Sequence, residues 1–154
     1  MSFIKAKQHL EIYKLENCII EFEESTATVA LAALALGVTE GEIAKSLSFL
    51  LGDNPILVIV AGDKRIDNHK FKEEFKVKAK MISFEMVESL IGHAAGGVCP
   101  FGVNSNVLVY LDISLKKYNY VYPACGTSNT AVKLLIEELE TASKYLKWVD
   151  VCKE

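Results

Sequence analysis

The chain has 154 residues, of which 51% are hydrophobic and 24% charged, with a formal net charge of −3 at pH 7. That length suits a single domain over 1–154 that buries about two-thirds of its unfolded surface. The composition excludes a disordered or fibrous chain, and the acidic balance excludes an indiscriminate polyanion binder.

Residues 2–15 read as an amphipathic helix with Phe3, Ile4, Leu10, Tyr13 and Leu15 on one side, and the charges spread through it leave no signal-peptide core. "CIIEF" (18–22) reads as a short strand. "STATVALAALALGV" follows, a helix with Ser25 at its start and Gly37 at its stop. Its apolar run, Val29 to Val38, is too short to span a membrane. A soluble cytoplasmic protein with no membrane partner is therefore expected.

"EIAKSLSFLL" (42–51) and "PILVIVAG" (55–62) read as strands joined by the turn "GDN". Residues 64–80, "KRIDNHKFKEEFKVKAK", then carry seven Lys/Arg against three Asp/Glu. This segment is net +4, so the rest of the chain is −7. It is either a solvated helix face with a charged edge strand or a local contact for a few phosphates. "SFEMVESLIG" (83–92) reads as a helix from Ser83 to Gly92. "NVLVYLD" (106–112), "NYVYPAC" (119–125) and "KWVDV" (147–151) read as strands. "AVKLLIEELETASKYL" (131–146) starts as a strand or goes directly into helix. Strands and helices alternate without a regular βαβ rhythm, which predicts an α+β fold with a mixed, curved β-sheet.

Three features could carry chemistry. Lys45 shares a strand face with Leu47, Phe49 and Leu51. An ammonium there needs an anion, a carbonyl or a cavity mouth, unless it snorkels to water from a strand end. The second feature is "GHAAGGVCPFG" (92–102), four glycines and a proline in eleven residues. Gly92 can end the preceding helix. Gly96 and Gly97 let the backbone pass close to a ligand with free N–H donors, Pro100 stiffens the bend, and Phe101 provides an apolar wall. Neither a dinucleotide fingerprint nor a P-loop is present, so the chemical reading is a set of amides aimed at a carbonyl or phosphate oxygen. The third is "ACGTSN" (124–129), a turn in which Gly126, Thr127 and Ser128 offer an amide and two hydroxyls.

The four cysteines, Cys18, Cys99, Cys125 and Cys152, form no C-x-x-C pair, so free thiols are expected. Cys125 reads as a buried structural thiol more readily than as a nucleophile. His93, Cys99 and Cys125 are the only conceivable zinc set, and no metal is expected. No G-x-S-x-G elbow and no obvious carboxylate pair occur. A hydrolase built from this chain would work by positioning and electrostatics, with water as nucleophile.

In order, these features form a pattern. "TATVALAALALGVTEGEIAKSLSF" resembles the Thr-Ala…Ala-x-x-Leu-Gly-Val…Ile-x-Lys-Ser-Leu-x-Phe stretch of the YbaK/ProX aminoacyl-tRNA deacylases, which are similar to the editing domain of bacterial prolyl-tRNA synthetases. "GHAAGGVCPFG" resembles that family's second block, Gly-x-x-x-Gly-Gly-Val-x-Pro-Phe-Gly. The likeness runs from about Leu15 to about Leu139. It implies a barrel-like curved sheet with surrounding helices, and hydrolysis of the ester between a wrong amino acid and the 3′-terminal adenosine of a tRNA. It places the family's lysine on Lys45, the glycine pair on Gly96 and Gly97, and the glycine of the last turn on Gly126, with Thr127 and Ser128 beside it.

Ser46, Val98, Pro100 and Phe101 are expected around the substrate, with Val98 and Phe101 lining a small amino-acid pocket. His93 occupies a variable position of the block and is expected near the site. No cofactor is implied. The implied partners are aminoacyl-tRNA, through its terminal adenosine and its acceptor stem along 64–80, and a synthetase, but not DNA. Two other readings stay open: a silent nucleotide-, tRNA- or synthetase-binding module of the same fold, and a thiol or metal enzyme using Cys99 or Cys125.

Overall fold

The computed structural model describes residues 2–154. Its centre is a hairpin of β2 (Ile43–Leu51) and β3 (Asn54–Ala61), which follow the helices α1 (Ser2–Ile12) and α2 (Val29–Leu36) and the short strand β1 (Ile19–Glu21). The hairpin turns through Gly52 and Asp53, with Leu51 opposite Asn54. Positive φ falls on Gly52 alone (62°), the sign pattern of a type II′ turn that suits strand twist.

After the hairpin come α3 (Asn68–Phe75), α4 (Phe84–Ile91), β4 (Leu108–Asp112), β5 (Tyr120–Pro123), β6 (Thr130–Val132), β7 (Leu134–Leu135), α5 (Ile136–Ser143) and β8 (Lys147–Val149). Six strands form one mixed, curved half-barrel sheet in the order β7-β5-β2-β3-β4-β8, and β1 pairs with β6 in a separate ribbon. The α+β class expected from the sequence is the one observed.

β3 explains why its sequence is a continuous apolar run. It lies between β2 and β4 and packs on both faces. Leu57, Ile59 and Ala61 join a core containing Leu10, Ile91, Phe101, Leu111 and Leu139. Ile56, Val58 and Val60 join a second core containing Phe49, Phe71, Tyr110 and Val151. α3 closes the second core with Phe71, whose ring lies 4.8 Å from Phe49 and 4.6 Å from Phe75. Burying Phe71 contributes about 3 kcal/mol. The basic stretch is thus an anchored helix, capped by Asp67, with its charges turned outward.

Two helices depart from the expectation. α1 buries Ala6 and Leu10 with Phe3 half-buried, while Ile4 and Ile12 stand outside at 53% and 73% exposure. The helix stops at Ile12 and Lys14 turns with φ 61°, which carries Tyr13 and Leu15 off the helical face. α2 starts later than Ser25. Thr28 is its cap, with Oγ1 accepting from Leu31 N at 3.1 Å, because residues 25–27 are held instead against the turn at Ser128. Gly37 ends it in the left-handed region, as expected.

Candidate active site

β2 pairs with β5 only at Ile43 and Ala44, then diverges from it. The gap holds a cavity of about 350 Å³. The start of α2 (Thr28, Val29, Ala32) forms one wall, and Ala44, Ser46 and Ser48 on one face of β2 form another. Ile82 with Phe84 and Val87 of α4, Ala95, Gly96 and Val98 of the glycine loop, and Tyr122, Ala124, Thr130 and Ala131 complete it. Its side chains are small apolar groups, hydroxyls and two aromatics. Lys45 is the one charged residue in the lining, which contains no carboxylate and no imidazole.

Lys45 resolves the question its strand position raised. The register sets it opposite Val60, on the face of the second core, so the aliphatic stem lies along that core. Its Nζ donates to the Lys64 carbonyl at 2.8 Å. Burial pulls its pKa below the usual lysine value. The next residue, Ser46, faces the cavity side, and its Oγ is buried without a hydrogen-bond partner among the described residues. A buried hydroxyl left unpaired is costly, and a ligand oxygen in the cavity would relieve it.

The glycine loop is built differently from a row of free donors. Gly96 is exposed with φ 92°, and its amide takes no protein acceptor among the described residues. Gly97 is buried, and its N–H donates to the Ala94 carbonyl at 3.0 Å, so it offers no amide to a ligand. A Cβ at Gly97 would lie 2.4 Å from Gly126 C and 2.5 Å from Thr127 N, and the Gly97 carbonyl accepts from Gly126 N at 3.0 Å. Gly97 and Gly126 are therefore the backbone interlock between the loop and the "ACGTSN" turn. Thr127 Oγ1 is likewise used internally, with Asn129 Oδ1 at 2.9 Å and Thr130 Oγ1 at 2.7 Å. Ser128 is exposed beside Gly96.

His93, Pro100 and Phe101 lie behind the cavity and not in its lining. Phe101 is fully buried in the main core, because the bend folds it inward. His93 is fully buried too, with Nε2 2.6 Å from the Phe101 carbonyl. That contact fixes the neutral Nε2–H tautomer, and Nδ1 is left without a partner among the described residues. Burial lowers its pKa. Cys99 and Cys125 are both fully buried, and burial pushes their thiols up, Cys125 to about 12. Neither supplies a thiolate at neutral pH. Among the described residues no three His, Cys, Asp or Glu side chains gather as a metal cluster.

α1 closes the site from behind. A Cβ at Gly126 would lie 2.6 Å from Ser2 O, and one at Gly102 would lie 2.6 Å from Lys5 O. His9 accepts from Gly102 N at Nδ1 (2.9 Å), with Nε2 2.6 Å from the Ala142 carbonyl.

Of the expected residues, Lys45, Ser46, Gly96 and Val98 share the cavity lining, and Ser128 adjoins it. Sequence reasoning missed the first turn of α2, whose signal was Thr28 ahead of the apolar run, and Phe84.

Residues 23–142 match the sequence profile of the aminoacyl-tRNA editing domain. The chain belongs to that family. It is 46% identical over its full length, and over 99% of the relative, to YwhH of Bacillus subtilis (strain 168), itself uncharacterised. It is 24% identical, across 87% of this chain and 84% of the relative, to EbsC of Enterococcus faecalis (strain ATCC 700802 / V583), a candidate Cys-tRNA(Pro)/Cys-tRNA(Cys) deacylase. Among solved structures, a candidate trans-editing enzyme for prolyl-tRNA synthetase superposes with a TM-score of 0.89 at 30% identity, covering 99% of this chain and 98% of that one. In this editing domain the cavity joins both sequence blocks that suggested the family: Ala44, Ser46 and Ser48 from the first, and Ala95, Gly96 and Val98 from the second. No helix among the described residues is long and apolar enough to cross a membrane.

Proposed function

We propose that this editing domain is a free-standing hydrolase that removes a mischarged amino acid from tRNA by attack of water on the aminoacyl ester. One observation carries the reading: the two blocks converge on a single small cavity whose lining has no carboxylate and no imidazole, and whose wall strand carries Lys45 with its ammonium turned to the opposite face. Such a site lacks the carboxylate or imidazole that usually moves protons, but it can place an ester and stabilise the oxyanion. The Gly96 amide and the first-turn amides of α2, beside Thr28 and Val29, are the available donors, each worth about 3–4 kcal/mol when well placed.

To reach a phosphate or hydroxyl oxygen of the terminal nucleotide, Lys45 Nζ leaves the Lys64 carbonyl and swings round from the second-core face of β2. The unpaired Ser46 hydroxyl meets the ester or the attacking water. Val98, with Ala95 and Val87, bounds the amino-acid side chain, whose selection by size is worth about 1–3 kcal/mol per methylene. The basic stretch runs from Lys64, whose carbonyl holds Lys45 Nζ, to Lys80, two residues ahead of the lining residue Ile82, which suits loose contact with the acceptor stem. A synthetase partner would supply the tRNA affinity that an acidic chain lacks.

The test is deacylation of Ala-, Cys-, Ser- and Thr-tRNA by wild type and Lys45→Ala, each checked for folding. Rapid loss of one species with wild type alone is expected. Activity retained in a folded Lys45→Ala protein would refute the role of Lys45. No loss of any species would leave a silent binding module.

A further inference from the structure

Phe84 is the most exposed aromatic at the cavity: it lines the cavity, yet 78% of it faces solvent. It is the first residue of α4, and its neighbours Ile82 and Val87 are buried at 7% and 5% as part of the cavity floor. The ring is therefore held at the rim by a fixed backbone and packs on little of its own protein. Met81 beside it is 59% exposed. The irregular segment leading into it carries Lys78 and Lys80, both exposed and neither in an ion pair among the described residues.

An aromatic face next to unpaired lysines is the combination that holds single-stranded nucleic acid without reading its sequence. The lining contains no carboxylate or amide side chain to read a base edge. An ester seated in the cavity also fixes where its nucleotide must be. The ribose is bonded to the ester, so the terminal base lies within one nucleotide of the mouth.

Resting on the editing reading above, we propose that Phe84 is the stacking platform for the adenine of the tRNA 3′-terminal nucleotide. Lys78 and Lys80 face the phosphate that precedes it.

The test uses the whole chain and a CCA trinucleotide with 2-aminopurine in place of the terminal adenine and alanine joined to the 3′ position by an amide, which cannot be hydrolysed. A second probe has an abasic terminal ribose. Wild type is expected to quench the 2-aminopurine on binding. Phe84→Ala should weaken binding about tenfold or more, and Phe84→Tyr less than threefold, because base–aromatic stacking carries this much affinity. Both proteins should bind the abasic probe alike.

The proposal is overturned if wild type fails to quench the probe, if Phe84→Ala binds it as wild type does, if Phe84→Leu binds as tightly as Phe84→Tyr, or if the abasic probe suffers the same loss. The deacylation panel runs in parallel. Phe84-dependent quenching without turnover of any aminoacyl-tRNA would remove the hydrolase reading and leave the stacking. Turnover indifferent to Phe84 would remove the stacking alone.

Discussion

Gly97→Ala gives the sharpest test of how the site is held. The added Cβ would sit 2.4 to 2.6 Å from three backbone atoms of Gly126 and Thr127, about 1 Å inside ordinary contact. No side chain can swing away, so the two loops must separate. Overpacking of this kind costs about 1–3 kcal/mol. Losing the Gly126 N to Gly97 O bond adds about 1 kcal/mol. The sum of about 2–4 kcal/mol lowers Tm by roughly 5–15 °C for a chain of this size.

Gly96→Ala is the control. Its Cβ would meet nothing closer than 3.5 Å, and it carries only the strain of φ 92°, about 1–2 kcal/mol. Thermal melts followed by far-UV circular dichroism separate the two. A Gly97→Ala protein melting within 2 °C of wild type, or below which Gly96→Ala melts, would show that the loops are not interlocked as described.

Thr28→Ala removes the cap on Leu31 N and should cost about 1 kcal/mol, or roughly 2–4 °C in Tm. Deacylation should fall with it, since α2 lines the cavity with its first turn; unchanged melting would show the cap to be idle. The buried His93 and the half-buried His9 set a pH dependence. His9 and His93 both have pKa values lowered by burial, so the unfolded chain takes up protons below about pH 6.5 that the native chain resists. Their stabilisation is complete above pH 6.5 and declines as pH falls through it toward the native values. His9→Gln, neutral throughout and able to keep both hydrogen bonds, should flatten the Tm difference between pH 7.5 and 5.5. Finally, Ellman's reagent at pH 7.5 should label Cys18 alone in the native protein, and all four cysteines in guanidinium. Native labelling of Cys99 or Cys125 would contradict their burial, and loss of deacylation in a folded Cys99→Ala, Cys125→Ala protein would revive a thiol mechanism.

What the sequence revealed depended on whether a local signal and a tertiary demand agreed. β2 and β3 were legible because period and apolar run follow directly from one face or two faces being covered. The end of α2 was legible at Gly37, since only the left-handed region fits there. Its start was not: Ser25 and Thr28 are equally good caps, and the choice was made by Ser128, a hundred residues away. The site shows the same division. Lys45 and Gly96 stood out as residue types that are expensive where they lie. Gly97 stood out equally but for another cause, a backbone crossing with Gly126 that no local pattern encodes. His93 and Phe101 shared a motif with cavity residues, and only the direction of the bend sent them inward. Phe84 carried no signal, because one apolar residue at a helix start is ordinary until its exposure is known.

The helix α1 lies outside the stretch that matches the family profile, yet its carbonyls touch the backs of both glycine turns and His9 is bonded to one of them. It acts as a splint. The floor of the cavity is thereby braced from behind its lining, and disturbances at the amino terminus have a direct mechanical route to the site. A partner that gripped α1, or a change at Ala6 that tilted it, would loosen the turns without touching any lining residue.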